Sequence, residues 1–136
     1  MKKTSFLSMM LLLWLLPQPG FGQCTEAEAD TLLPAALLSF EAYAMPGQGV
    51  SLEWGTAWEL QLKGFAIECR SAEDGSWQQI GFKPGQGHSS RAVYYAFADT
   101  QAPAGVAAYR LILTDQAGRR FYTHQLGVET GGKAAN

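Results

Sequence analysis

The sequence predicts an all-β protein whose strands form two sheets packed face to face. From Leu37 onward apolar and polar residues alternate with a period of two. Clusters such as MPGQG, AEDGS, KPGQGHSS, DTQAPAG and DQAG interrupt that alternation with residues that favour turns. No segment carries an apolar stripe at helical spacing.

The elements follow in chain order. The opening MKKTSFLSMMLLLWLLPQPGFG reads as a secretory signal peptide over residues 1–22: Lys2 and Lys3 precede an apolar run at 9–16, followed by Pro17, Pro19 and the small residues Gly20 and Gly22. The run falls short of the roughly 20 residues needed to cross a bilayer, and no second run follows, so no membrane span is expected in the mature chain. Cleavage after Gly22 makes Gln23 the new N-terminus; with Gln23 rather than a small residue before Cys24, lipidation is not expected. Removing 22 of 136 residues leaves 114, enough for one domain with one core. Loss of Lys2 and Lys3 leaves 8 basic against 12 acidic residues, a balance that excludes a nucleic-acid partner. Residues 23–34, containing CTEAEADTLLP, are small and acidic and read as a lead-in linker.

Strands are expected at 37–44, 49–56, 64–71, 78–82, 92–98, 107–114 and 121–128, within a domain spanning 35–129, with a frayed tail at 130–136. Val50, Leu52 and Trp54 alternate with Ser51, Glu53 and Gly55. Phe65, Ile67 and Cys69 alternate with Ala66, Glu68 and Arg70, and Tyr109, Leu111 and Leu113 with Arg110, Ile112 and Thr114. Each sheet therefore buries one face. Trp54, Phe65, Ile67, Tyr109 and Leu111 are the expected core, and Cys69 points inward with them. Seven short strands at this spacing predict a sandwich.

The segments LLSFEAY, LEWGTAWELQLKGFAIE, DGSWQQIGF, YAFADTQAPAGVAAYRLILTDQAG and FYTHQLGV cover nearly the whole domain. Together they resemble the fibronectin type III-like, immunoglobulin-like sandwich of bacterial secreted proteins, the kind that stands ahead of type IX secretion sorting domains. In that pattern Trp54, Thr56, Glu59 and Phe65 mark the second and third strands, and Tyr109, Arg110 and Leu111 open the sixth. The resemblance implies structural roles for Trp54 and Tyr109, with the tyrosine hydroxyl bonded at a corner. ECRSAEDG is one residue longer than the pattern, so a bulge is expected near Cys69. Trp58 stands where a small polar residue is usual.

Candidate chemistry is sparse. A catalytic thiol requires exposure and a group that lowers its pKa, whereas strand parity buries Cys69; it reads as an inert thiol or as half of a disulfide with Cys24, should the lead-in fold back. KPGQGHSSR has His88 where a phosphate loop has lysine, lacks the Gly-x-Ser-x-Gly elbow, and reads as a solvated hairpin loop. His88 and His124 lack zinc-ligand spacing. Asp99 and Asp115 read as turn formers, ahead of a calcium site that would require several converging oxygens. Trp58, Leu60 and Leu62, in the connection between the second and third strands, and Tyr94 and Ile112, on outward faces, are the candidate contact residues. Trp58 reads as a lid on the core slightly ahead of a binding anchor. Glu68 and Arg110 should form a cross-strand ion pair. The expectation is a secreted, non-catalytic module without cofactor or metal that contacts a protein or glycan or acts as a spacer. Alternatives are a linker module orphaned from a larger secreted protein and, last, a small hydrolase using His88 or His124.

Overall fold

The computed structural model describes residues 32–71 and 75–130. The expected signal peptide, Cys24, the expected lead-in as far as Thr31, residues 72–74 and the tail from residue 131 lie outside the described residues. What is described is all-β: a seven-stranded antiparallel sheet that curls on itself. Its strands are β1 (Ala35–Met45), β2 (Gly49–Ser71), β3 (Gln78–Ser89), β4 (Val93–Asp99), β5 (Gly105–Asp115), β6 (Arg120–Tyr122) and β7 (Leu126–Thr130).

The 23-residue strand β2 organises the sheet. Its first half pairs with β1 along one edge and β4 along the other, and its second half with β3 and β5. β5 in turn carries β6 and β7. The two strands expected at 49–56 and 64–71 are therefore one strand with a bend. Gln61 turns the corner at φ 51°, and the ladder slips between Leu60 and Leu62 and again between Leu62 and Gly64. The bend stays in the sheet because its backbone groups find partners: Leu60 N donates to Pro34 O at 2.8 Å, and Gln116 N to Gln61 O at 2.9 Å.

The same accounting corrects the expected loop at KPGQGHSS. Residues 83–89 form the second half of β3, with Lys83 opposite Phe65, Gly87 opposite Leu62 and His88 opposite Leu60. A β-carbon on Gly85 would lie 2.6 Å from Leu62 Cδ2, so the strand approaches as closely as it does because it lacks one. Conversely, the single strand expected at 121–128 is broken. Thr123 Oγ1 accepts from Leu111 N at 2.9 Å and Thr123 N donates to Leu111 O at 3.0 Å, which ends β6 before β7 begins. The slip between Ile67 and Glu68 in the β2–β3 ladder is the bulge expected near Cys69.

Trp54, Phe65, Ile67, Tyr109 and Leu111 are each no more than 1% exposed, as parity predicts. Trp54, from the first half of β2, meets Phe65, from the second, edge to face at 5.4 Å. Tyr95 of β4 stacks on Trp54 at 5.6 Å, so both halves turn one apolar face toward a common core.

Two further expectations, about burial, are overturned. Leu62 is not a contact residue but is 1% exposed and part of the core, because the left-handed Gln61 just before it resets the strand parity. Ile112 faces outward by parity yet is fully buried. It lies in a four-strand row, Phe82–Ala66–Ile112–Tyr122, in which two large rings flank two smaller side chains.

Candidate functional site

The side chains that converge most densely on the surface lie on the outer face of β2, β5 and β6. Glu68 and Arg110 are direct cross-strand partners, and Arg70 stands opposite Ala108, which stands opposite Gly127. Arg110 donates from Nε to Glu68 Oε2 at 2.7 Å, and its Nη2 lies 2.7 Å from the same oxygen. This is the pair that parity predicts.

Strand order then adds aromatic rings. The Arg110 guanidinium carbon lies 4.1 Å from the centre of the Trp77 ring and 4.7 Å from that of Tyr122. Arg70 lies over the same tryptophan at 4.9 Å, and Arg120 over the same tyrosine at 5.7 Å. Each ring face attracts a cation, worth about 0.5–2 kcal/mol according to exposure. Arg70 Nη2 is held by Gln125 Oε1 at 3.1 Å, and Arg120 Nη2 stands 4.0 Å from Glu68 Oε1. Three guanidiniums thus share two rings, and two of them, those of Arg110 and Arg120, share one carboxylate. Beside them Arg70, Ala108, Gln125 and Gly127 line an open depression of about 440 Å³, which exists because Ala108 and Gly127 put almost no side chain into it. The arrangement presents fixed, permanently charged donors suited to carboxylate or other anionic oxygens.

Sequence reasoning found the Glu68–Arg110 pair and missed the rest. The signal was present in part: Arg70, Arg110 and Arg120 share one outward parity once β2, β5 and β6 are in register. What could not be read was that Trp77, before β3, returns across β2 to reach both Arg70 and Arg110.

The other candidates are scattered. Trp58 is 40% exposed opposite Ala36, and Leu60 is 48% exposed opposite His88. Tyr94, 73% exposed, lies over Gly55, where a β-carbon would come within 2.9 Å of its ring. His124 sits edge-on to Phe40 at 5.8 Å, beside an apolar cleft of about 260 Å³ between β1 and β6 lined by Leu37, Leu113 and Phe121. Among the described residues no three His, Cys, Asp or Glu side chains converge to hold a metal ion. Cys69 is buried, and its thiol interacts with the Tyr109 hydroxyl.

Two buried carboxylates tie the sheet together. Glu59, 3% exposed at the bend, accepts from Thr56 Oγ1 at 3.0 Å, from Gln86 N at 2.7 Å and from the Tyr95 hydroxyl. Asp99 accepts from Tyr109 Oη at 2.8 Å and from Gln101 N at 3.1 Å. Burial, and then the hydrogen bond to the carboxylate, raises the pKa of both tyrosines, so each stays a donor. In the β5–β6 turn, burial alone would raise the Asp115 pKa. Hydrogen bonds from Arg119 N at 2.8 Å and Ala117 N at 3.0 Å, with the Arg119 guanidinium at 2.7 Å, hold it below the ordinary value instead. Asp99 and Asp115 thus serve as turn formers.

No family model matches the chain, and no curated protein matches its sequence.

Proposed function

We propose that this chain is an exported, non-catalytic module with a fibronectin type III-like sandwich fold, and that its cationic and aromatic outer face takes a carboxylate-bearing ligand. The pairing pattern supports the fold reading. β1, the first half of β2 and β4 form a three-stranded layer; β3, the second half of β2, β5 and β6/β7 form a four-stranded one. Trp54 and Tyr109, to which the resemblance gives structural roles, are both buried, and Trp54 meets Phe65 edge to face. The leader supports export.

The observation that carries the binding role is the clamped Arg110. Trp77 and Tyr122 hold its guanidinium while Arg70 and Arg120 stand beside it, and among the described residues Glu68 is the carboxylate paired with this group. Arginine, tryptophan and tyrosine are also the residue types that dominate binding hot spots. In a chain of net charge −2, this localised positive face selects for anions.

The test is titration with polygalacturonate, poly-glutamate and neutral dextran at two salt concentrations. Binding to either polyanion, weakened by salt and reduced about tenfold by each of Arg70→Ala and Arg120→Ala, is the expected result, equivalent to about 1.4 kcal/mol per arginine. The two polyanions separate a glycan from a protein partner. Equal behaviour toward dextran, or indifference to both substitutions, would remove the reading. Intact mass by cell fraction tests export: a chain beginning at Gln23 outside the cytoplasm is expected.

A further inference from the structure

We infer that the free edge of β4 pairs antiparallel with β4 of a second copy. An edge strand presents a row of unpaired N–H and C=O groups, and proteins that stay monomeric blunt such edges with bulges, proline, lysine or other charges. The other outer strands carry such devices. β1 slips between Ala36 and Leu37 and between Leu37 and Ser39, and exposes Glu41. β3 contains Lys83 and Pro84 and slips repeatedly against β2; β7 is five residues long and carries Glu129.

β4 has none of these. Its sequence VYYAFAD pairs with β2 in unbroken register from Val50–Asp99 to Thr56–Val93, and its only charge is the terminal aspartate. Its other edge has no ladder partner among the described residues. Tyr94, Ala96 and Ala98 are all exposed.

The strand is also complementary to itself. With a twofold axis at Ala96, Tyr94 of one copy faces Ala98 of the other, Tyr95 faces Phe97, and the two Ala96 residues face each other. Large side chains meet small ones on the outer face, and aromatic rings pair on the inner face. A parallel in-register arrangement would instead set the two Arg91 residues, just before the strand, side by side. The antiparallel pair extends β1, β2 and β4 into a continuous layer of twice the width. A seven-residue ladder buries less than a standard interface, so association is weak and concentration-dependent.

The experiment is sedimentation velocity of the purified protein over a hundredfold concentration range, with a thiol reductant present so that Cys24 bridges do not contribute. Mass rising from one chain toward two is expected, with amide-exchange protection of residues 93–99 increasing at high concentration and β3 and β7 unchanged. Ala96→Lys places two ammonium groups face to face at the axis. Because Ala96 is exposed, the variant should keep its melting temperature and lose the dimer. A single-chain mass at every concentration, a dimer that survives Ala96→Lys, or protection arising at another edge would overturn the inference. None of these readouts depends on the arginine face.

Discussion

The hydroxyl of Tyr109, on β5, donates to Asp99 Oδ2 at the end of β4, 2.8 Å away. β4 and β5 share no ladder; each pairs with a different half of β2. This hydrogen bond therefore fastens the two halves of the curled sheet to each other at the end opposite the bend. Glu59, with Thr56, Tyr95 and Gln86, does the same at the bend.

Tyr109→Phe keeps the ring and removes the donor, leaving a buried carboxylate oxygen unpaired. A loss of about 1–3 kcal/mol is expected in a denaturant titration. An unchanged midpoint would mean that water replaces the hydroxyl and that the fastening is incidental.

Trp54→Ala should cost about 3–5 kcal/mol, because the indole contacts Phe65 and Tyr95 and fills the centre of the core. Trp54→Phe should cost clearly less, since the indole N–H has no hydrogen-bond partner and its removal sacrifices nothing polar. Trp58→Ala, at a 40% exposed position, should cost less than either. A loss at Trp58 equal to that at Trp54 would make Trp58 a lid on the core after all.

Gln61 holds a left-handed conformation that costs a side-chain-bearing residue about 1–2 kcal/mol. Gln61→Gly should be near neutral, because relief of that cost is offset by the greater freedom glycine gains when unfolded. Gln61→Val should destabilise by more than about 1 kcal/mol, because a side chain branched at the β-carbon crowds the backbone further in this region. Thermal melts of the pair measure the difference, and equal melts would remove the bend's strain from the account.

Asp115 is held below the ordinary carboxylate pKa in the fold, so its ionised form is favoured there over the unfolded chain. Its contribution is full above the unfolded value of about 3.9 and is lost as pH falls through the lower folded value. The stability difference between wild type and Asp115→Asn should therefore be largest at neutral pH and shrink in strong acid. A difference that stays constant with pH would show that the turn needs only the hydrogen bonds an amide can also accept.

Period-two alternation was enough to specify the strand class and most of the inner face. In β2 and β5, burial of apolar side chains leaves little choice of register, so Trp54, Phe65, Ile67, Tyr109 and Leu111 could be named from parity alone. Asp99 and Asp115 were legible as turn formers because their partners lie within four residues. The arginine face was only half legible, since the Glu68–Arg110 pair follows from neighbouring strands while Trp77 and Tyr122 reach it from elements whose positions no local pattern states.

The sequence by itself thus determined the all-β class, the inward parity of each regular strand and the acidic balance of the chain, which follow from composition and from residues near one another along the backbone. Tertiary structure decided what depends on distant partners. Gly-rich KPGQGHS became strand because β2 offers it a ladder, Leu62 turned inward because Gln61 bends β2, and Ile112 was covered because Phe82 and Tyr122 flank its row. The ladder and the flanking rings join residues far apart in sequence, and the bend at Gln61 is held by backbone partners at Pro34 and Gln116, also far along the chain. In each case those interactions outweigh the local preference that pointed the other way.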